Sequence, residues 1–254
     1  MKVKNWRVWD LWPEYGETLF KRATGDAPEM ESSKATCEFL SRVYRRGMSV
    51  LDVGCGAGHY YRSLMERLDP DIDYHGVDIT EHYIELAKKA YSSPNRFSVG
   101  DIYDLQFPDK SIDIVFCSNA LMNLPPPPTR PIEELIRVAR NHVIIRTLLG
   151  ERNYIVKELR TLEEAEGASI EEKDLISPDG AVISYHYNNM YTQEYLTQII
   201  RDIDADIEVT FERDTFWSAF DNRDLVGPTA TRVLGDKQVS GNLIFDWWFI
   251  TLSK

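Results

Sequence analysis

The stretch Val50-Leu51-Asp52-Val53-Gly54-Cys55-Gly56-Ala57-Gly58 joins an apolar run to three glycines at alternate positions. The run from Met48 to Val53 predicts a buried parallel strand, and the glycines predict a tight turn into a helix. Without side chains, this turn can bring main-chain N–H groups at the helix start close to a ligand. The segment therefore indicates an α/β fold that binds a nucleotide-like ligand where its first strand ends.

Strand and helix patterns alternate along the chain after this turn. We predict a helix at about 58–68, a strand at 74–79, a helix capped by Thr80, strands at 97–100 and 112–116, a helix opened by Pro131, and a strand at 142–149. Such alternation implies right-handed crossovers and a mainly parallel sheet covered on both faces. Ligands of such sheets bind at the carboxyl ends of the strands.

The alternation stops after Gly150. Residues 151–190 contain an acidic segment, Asn153 to Glu166, that we predict to be helical, then a Ser-Pro-Asp-Gly turn at 177–180 and an aromatic, polar run. We interpret this region as an insertion. A helix at about Thr192 to Ile203 resumes the pattern, and two strands near 207–211 and 243–252, joined by a long Gly- and Pro-containing connection, complete it.

The composition is that of a globular, acidic chain. Of 254 residues, 43% are apolar, and 29 Lys and Arg against 41 Asp and Glu give a net charge of −12. This charge disfavours nucleic acids and anionic membranes as partners. Because the sequence has no long uninterrupted apolar run and its three cysteines lack disulfide or zinc spacing, we expect a cytoplasmic protein with no metal site.

Acidic residues follow the second and third predicted strands. Asp78 ends the second strand, where it can accept hydrogen bonds from both hydroxyls of a ribose. Together with Asp52-x-GxGxG, the segments Gly76-Val77-Asp78-Ile79 and Gly100-Asp101-Ile102 and the strand at 112–116 resemble class I S-adenosylmethionine-dependent methyltransferases over residues 45–150. Asp101 and the GxGxG spacing disfavour an NAD-dependent dehydrogenase, whose turn is GxGxxG.

The resemblance implies a doubly wound, mostly parallel, Rossmann-like sheet of seven strands with helices on both faces and the last strand antiparallel. It divides the chain into an N-terminal helical segment or lid at 1–46, a cofactor-binding core at 47–150, an insertion at 151–190 that covers the acceptor site, and the remainder of the core, with the last helix and final two strands, at 191–254.

The resemblance also implies which residues bind the cofactor, S-adenosylmethionine. Gly54 and Gly56 would contact its methionine part, with Cys55 between them in the same loop. Asp52 would support the amino group of the methionine part or the loop itself.

The remaining cofactor residues follow the next three strands. Asp78 would hold the ribose, and Ile79 would pack on the face of the adenine. Asp101 would accept a hydrogen bond from the adenine amino group, and the main-chain N–H of Ile102 would face the adenine ring. Asn119, just past the fourth strand, would lie near the methionine part and the methyl group.

No general base is evident from the residues. Orientation of the acceptor can supply much of the catalysis of an in-line methyl transfer, so a base is needed only if the acceptor must lose a proton. The weak catalytic candidates are Tyr15, in an aromatic N-terminal segment that either packs on the body or covers the cofactor, and His186, which either serves the acceptor or is a partly exposed strand histidine.

The sequence leaves the acceptor open. We expect methyl transfer to an oxygen, nitrogen or carbon atom of a small molecule. The segment after Asn119 lacks the Asn-Pro-Pro-Tyr of enzymes that methylate the amino groups of adenine or glutamine. The alternatives are a protein or RNA methyltransferase, which would need an open basic groove, and a non-catalytic adenosylmethionine-binding protein, which would have no acceptor cavity.

Overall fold

Five parallel strands form the centre of the sheet. The computed structural model describes residues 8–11, 13–159, 185–215, 232–234, 237–240 and 243–254. The central strands are β1 (Ser49–Val53), β2 (Asp73–Asp78), β3 (Phe97–Val99), β4 (Ile112–Ser118) and β5 (Ala139–Leu149). Their order across the sheet is β3-β2-β1-β4-β5, so the chain winds outward from β1 in both directions. The predicted parallel core is confirmed.

The later strands form two groups. β6 (Lys157–Leu159) and β7 (Tyr185–Tyr187) pair in a separate antiparallel two-stranded sheet, whereas the main sheet is extended at one edge by β8 (Glu208–Arg213), β9 (Arg232–Leu234), β10 (Lys237–Ser240) and β11 (Leu243–Ser253). β11 lies antiparallel between β5 and β8, which completes the predicted seven strands with an antiparallel last strand. β9 and β10 add two antiparallel strands beside the start of β11, where the sequence predicted only a connection.

Helices cover both faces of the sheet. They are α1 (Pro13–Thr24), α2 (Glu31–Val43), α3 (His59–Arg67), α4 (Glu81–Tyr91), α5 (Thr129–Val138) and α6 (Gln193–Ile203), and a 3-10 turn at Val8–Leu11 precedes them. α1 packs against α3 and α4, whereas α5 and α6 pack against each other. None of the described helices has the length and apolar composition of a membrane span.

Alternate residues of the central strands enter two separate cores. In β5, Val143 and Ile145 join the core under α5 and α6, and Ile144 joins the core under α2, α3 and α4. β4 divides its side chains in the same way. Because neighbouring strand residues point to opposite faces, an unbroken apolar run is buried on both sides.

Three local expectations differ from the structure. α5 begins at Thr129, two residues before Pro131. Thr80 precedes α4 without a side-chain capping bond; its N–H instead donates to Asp78 at 2.9 Å.

Residues 153–159 are not helical, because the main chains of Tyr154 and Met190 bond to each other and β6 pairs with β7. Non-local pairing here outweighs local helix propensity. The rest of that predicted helix and the turn at 177–180 lie outside the described residues.

A buried carboxylate fixes the segment that follows β3. Glu134 on α5 is 1% exposed and accepts hydrogen bonds from the Leu105 N–H at 2.8 Å and from Arg137 at 2.8 and 2.9 Å. Arg137 in turn donates to the carbonyls of Leu105 and Phe107, each at 2.8 Å. This pair holds the chain just beyond Asp101 and Ile102 against α5.

We predict that Glu134→Gln destabilises the protein by about 2 kcal/mol at pH 7, because an amide cannot satisfy both the Leu105 N–H and Arg137. The Arg137 hydrogen bond holds the pKa of Glu134 below its usual value. Its stabilisation is therefore present above the unfolded pKa of about 4.3 and is lost as the pH falls below it. Urea unfolding at pH 7 and pH 3.5 measures both effects.

The neighbouring Glu133→Gln is the matched control. Glu133 pairs with Arg130 at 3.0 Å on the surface, where both side chains are about half exposed. We expect a change within about 0.5 kcal/mol for this variant. Equal losses from the two substitutions, or a loss at Glu134 that does not shrink in acid, would show that the buried carboxylate does not anchor the segment.

Candidate functional site

A cleft runs along the carboxyl ends of four parallel strands. Its floor comes from the ends of β1, β2, β3 and β4, and its cover comes from α1, α3, α4 and the N-terminal turn. The lining residues are Trp9, Tyr15, Leu19, Met30, Val53, Gly54, Gly56, His59, Tyr60, Asp78, Ile79, Tyr83, Gly100, Asp101, Ile102, Ser118, Asn119, Ala120, Asn123 and Leu124. Seven of the nine predicted cofactor residues therefore share one cavity.

The glycine turn makes room in this cleft. Gly54, Gly56 and Gly58 have φ values of +85°, +55° and +80°, which L side chains rarely adopt. A Cβ on Gly54 would lie 2.9 Å from the Ala120 side chain, and one on Gly56 would lie 2.7 Å from Leu19. Glycine is required here both by the backbone conformation and by the space, so the turn leaves its main chain accessible at the floor.

Asp78 is joined to this turn. Its two carboxylate oxygens accept the N–H groups of Gly56 and Thr80, each at 2.9 Å. Burial raises the pKa of Asp78, and these hydrogen bonds lower it in part. Ile79, the next residue, also lines the cleft. A carboxylate with free lone pairs thus lies in an apolar wall, where it can accept further hydrogen bonds.

The end of β3 supplies the neighbouring part of the cleft. Asp101 accepts the Tyr103 N–H at 3.0 Å, which fixes its carboxylate in a short turn. Ile102 is buried but still borders the cleft. The Gly100 N–H donates to the Asp78 carbonyl at 3.0 Å, so the ends of β2 and β3 are held together.

Two predicted cofactor residues lie beneath the turn and do not line the cleft. Asp52 is 1% exposed and accepts the Tyr74 hydroxyl at 2.8 Å. Burial raises the pKa of Asp52 to about 8, so the buried carboxyl is protonated at neutral pH. Cys55 is fully buried, and burial raises the pKa of its thiol well above the usual value. This placement is consistent with support of the loop by Asp52 and opposes a direct contact by Cys55.

Asn119 is fixed at four atoms. It has a left-handed backbone with φ +63°, and its N–H donates to the Arg146 carbonyl at 3.0 Å. Its carbonyl accepts the Asn123 side-chain amide at 2.9 Å, its Oδ1 accepts Arg146, and its Nδ2 donates to the Tyr60 hydroxyl at 3.2 Å. A non-glycine residue held in this conformation is typical of functional sites.

Aromatic rings cover the cleft. The Trp9 and Tyr15 ring centroids lie 5.5 Å apart, and those of Tyr15 and Tyr83 lie 6.5 Å apart. Trp9 belongs to the 3-10 turn, and α1 begins only at Pro13.

The two weak catalytic candidates have different positions. Tyr15 lines the cleft, and burial raises the pKa of its hydroxyl, so it is a poor base at neutral pH. His186 lies on β7 with its ring centroid 6.3 Å from that of Trp9. It is not among the residues that line the cleft.

Sequence reasoning missed a buried ion pair beside Asn119. Arg146 on β5 is 5% exposed and Asp214 is 1% exposed, and they are joined by hydrogen bonds of 2.8 and 2.6 Å. The signal was an arginine in the middle of the apolar run His142 to Leu149. Charged residues are almost never fully buried unless paired, so this position predicts a partner from elsewhere in the chain.

We predict that Asp52→Asn gains stability relative to the wild type as the pH rises. Because the folded pKa of about 8 exceeds the unfolded value of about 3.9, the wild type loses stability across this range and the amide does not. Urea unfolding should show the difference in unfolding free energy shifting by at least about 1 kcal/mol between pH 5 and pH 8. Asp73→Asn, on the exposed start of β2, should show no such trend. A difference at Asp52 that is independent of pH would mean that this carboxylate is charged in the folded state.

Comparison with known proteins identifies the family of the chain. A family described as "Methyltransferase domain" matches residues 45–203. Demethylmenaquinone methyltransferase of Staphylococcus aureus is 32% identical over 83 residues, which are 32% of this chain and 34% of that protein. The chain thus spans about a third of the length of the curated relatives it matches.

Solved structures share the fold. An S-adenosylmethionine-dependent methyltransferase of Methanosarcina mazei is 18% identical with a TM-score of 0.53, covering 85% of this chain and 96% of that one. Magnesium protoporphyrin IX methyltransferase of Synechocystis PCC 6803, with bound S-adenosylhomocysteine, is 14% identical with a TM-score of 0.53, covering 97% and 98%. The partner of the Trm112 methyltransferase activator in a Haloferax volcanii complex is 17% identical with a TM-score of 0.59, covering 99% and 98%. The chain belongs to the methyltransferase domain family.

Proposed function

We propose that the chain is an S-adenosylmethionine-dependent methyltransferase that acts on a small molecule, at an oxygen, nitrogen or carbon atom, inside the aromatic cleft. The observation that carries the proposal is the shared cavity of Asn119 and the rings of Trp9, Tyr15 and Tyr60. A planar or apolar acceptor would gain both burial and ring stacking there. In this view the N-terminal segment at 1–46 acts as a lid.

The cofactor would lie along the strand ends in the order of the sheet. Asp101 and Ile102 would hold the adenine, with Ile79 on its face, and Asp78 would bind the ribose hydroxyls. The main chain of the glycine turn at Gly54 and Gly56 would hold the methionine part. The carboxylates, the accessible main chain and the apolar walls of the cleft fit these parts of the molecule.

Asn119 would then lie at the methyl end. β4 is next to β1 on the side away from β2, so its end follows the methionine part and precedes β5. The bound cofactor supplies an activated methyl group. The chain's own residues would orient the acceptor, exclude water with the aromatic cover, and hold both reactants in line.

The relatives are consistent with a small acceptor. The names of the Staphylococcus aureus and Synechocystis proteins describe methylation of demethylmenaquinone and of a porphyrin, both of them small molecules. The cleft of the present chain has no lysine or arginine among its described lining residues. Together with the net charge of −12, this disfavours a polyanionic acceptor such as RNA.

We predict that Asp78→Ala and Asp101→Ala each weaken binding of S-adenosylhomocysteine by at least about tenfold, because each removes charged hydrogen-bond acceptors. Isothermal titration calorimetry measures these affinities, with NAD as a ligand that should not bind. Asp104→Ala, in the same turn but absent from the cleft lining, is the matched control and should bind as the wild type does. Unchanged affinities in both cleft variants would remove these residues from the cofactor site.

We predict that labelled methyl groups are transferred to small molecules. The protein is incubated with methyl-labelled adenosylmethionine and a whole-cell extract. Ultrafiltration with a cutoff at about the size of a small peptide then separates small molecules from protein and RNA. Asp78→Ala serves as the inactive control. Label should enter only the filtrate. Label in retained protein or RNA would support the macromolecular alternative, and label in neither fraction would support the non-catalytic one.

A further inference from the structure

A chain of hydrogen bonds crosses the acceptor side of the site. Asp214 binds Arg146, Arg146 donates to the Asn119 side chain, Asn119 donates to Tyr60 at 3.2 Å, and Tyr60 donates to Ser32 at 3.1 Å. The five residues come from five separate segments of the chain. Arg146 also lies over the ring of Trp247, with its guanidinium carbon 4.0 Å from the ring centroid.

From Arg146 to Ser32 the hydrogen bonds run in a single donor-to-acceptor direction. A guanidinium can only donate hydrogen bonds, so the Asn119 atom that faces Arg146 must be the amide oxygen. The Tyr60 hydroxyl gives its proton to Ser32, so the Asn119 atom that faces Tyr60 must be a donor. Burial raises the pKa of Tyr60 to about 12, which keeps that hydroxyl protonated at neutral pH. Two independent contacts therefore fix the amide with its NH₂ group away from Arg146.

This NH₂ group belongs to a residue that lines the cleft at the end of β4. Tyr60 is the one partner of Nδ2 among the described residues, and Nδ2 carries two hydrogens. Asp214 neutralises Arg146, and the pair is nine-tenths buried, so the cation orients the amide without itself lining the cleft. The second hydrogen of Nδ2 has no hydrogen-bond partner among the described residues.

We propose that Arg146 is a positioning residue that presents the Asn119 N–H at the methyl-transfer position, and that the site thereby selects an acceptor carrying an oxyanion at or next to the methylated atom. Phenolates and enolates are such acceptors. This inference rests on the proposed function, because it specifies the chemistry of the same small-molecule site.

The proposed step is balanced without a base in the protein. The acceptor loses its hydroxyl proton to solvent and binds as the anion, whose oxygen accepts the Asn119 N–H. An electron pair of that oxygen, or of the conjugated carbon beside it, forms a bond to the methyl carbon while the carbon–sulfur bond breaks and its electron pair remains on sulfur. An amine acceptor would instead need a hydrogen-bond acceptor at this position, which the fixed amide does not offer.

The test compares two ligands that differ at the methyl position. Sinefungin carries an ammonium group where adenosylmethionine carries its methyl group, whereas S-adenosylhomocysteine carries nothing there. The ratio of their dissociation constants, measured by calorimetry, reports whether the protein presents a donor or an acceptor at this position. No methyl acceptor is needed for the measurement.

In Asn119→Asp an oxygen replaces the NH₂ group, and we expect the preference for sinefungin over S-adenosylhomocysteine to rise by at least about tenfold relative to the wild type. In Arg146→Met combined with Asp214→Leu, no charge is left buried without a partner and the amide is free to turn its oxygen to the cleft. We expect a rise of about fivefold there. Arg140→Met, which removes a surface arginine of the same strand that pairs with Asp113, should leave the ratio unchanged.

Each outcome decides the inference. Ratios that rise in Asn119→Asp and in the double variant, but not in Arg140→Met, support it. A wild type that already prefers sinefungin tenfold, or variants whose ratio does not move, would overturn it and leave the cofactor site and the small-molecule proposal standing. Failure of S-adenosylhomocysteine to bind the wild type would overturn this inference together with the proposed cofactor site.

Discussion

The left-handed backbone of the turn at Gly54, Gly56 and Gly58 is the constraint on which the rest of the site depends. Only glycine adopts these conformations without strain, and side chains here would meet Ala120, Leu19 and Phe97. The turn is anchored where the N–H groups of Gly54 and Cys55 share the Val77 carbonyl at 2.8 and 3.0 Å. It therefore sets the height of the cleft floor, the start of α3, and the position of Asp78, which accepts the Gly56 N–H.

A second fixed point lies on the other side of β1. Asn119, also left-handed, is held by Arg146, Tyr60 and Asn123, and its position at the end of β4 places it where methyl transfer is proposed. Catalysis by orientation needs groups that do not rearrange during the reaction. The buried Arg146–Asp214 pair contributes such rigidity, although its net effect on folding free energy is small, because desolvation offsets much of the attraction.

The local part of this structure could be predicted from the sequence. Apolar runs and glycines predicted the order of the central strands and helices along the chain, and the resemblance to class I methyltransferases indicated seven residues that line one cleft. Pairings between distant segments could not be predicted in this way. Residues 153–159 form extended structure because the main chains of Tyr154 and Met190 hydrogen-bond across the insertion. Arg146 pairs with Asp214, which lies 68 residues later in the chain. Asp52 occupies a position of the cofactor-binding motif, but its burial and the hydrogen bond that it accepts from Tyr74 depend on the packing of the sheet.

A crystal structure of the complex with S-adenosylhomocysteine tests the central claim most directly, because it places every part of the cofactor against a named strand end. We expect the adenine at Asp101 and Ile102, the ribose hydroxyls on Asp78, the homocysteine on the turn at Gly54 and Gly56, and the sulfur facing Asn119. A ligand bound in the reverse direction, or outside this cleft, would contradict this arrangement and the function built on it.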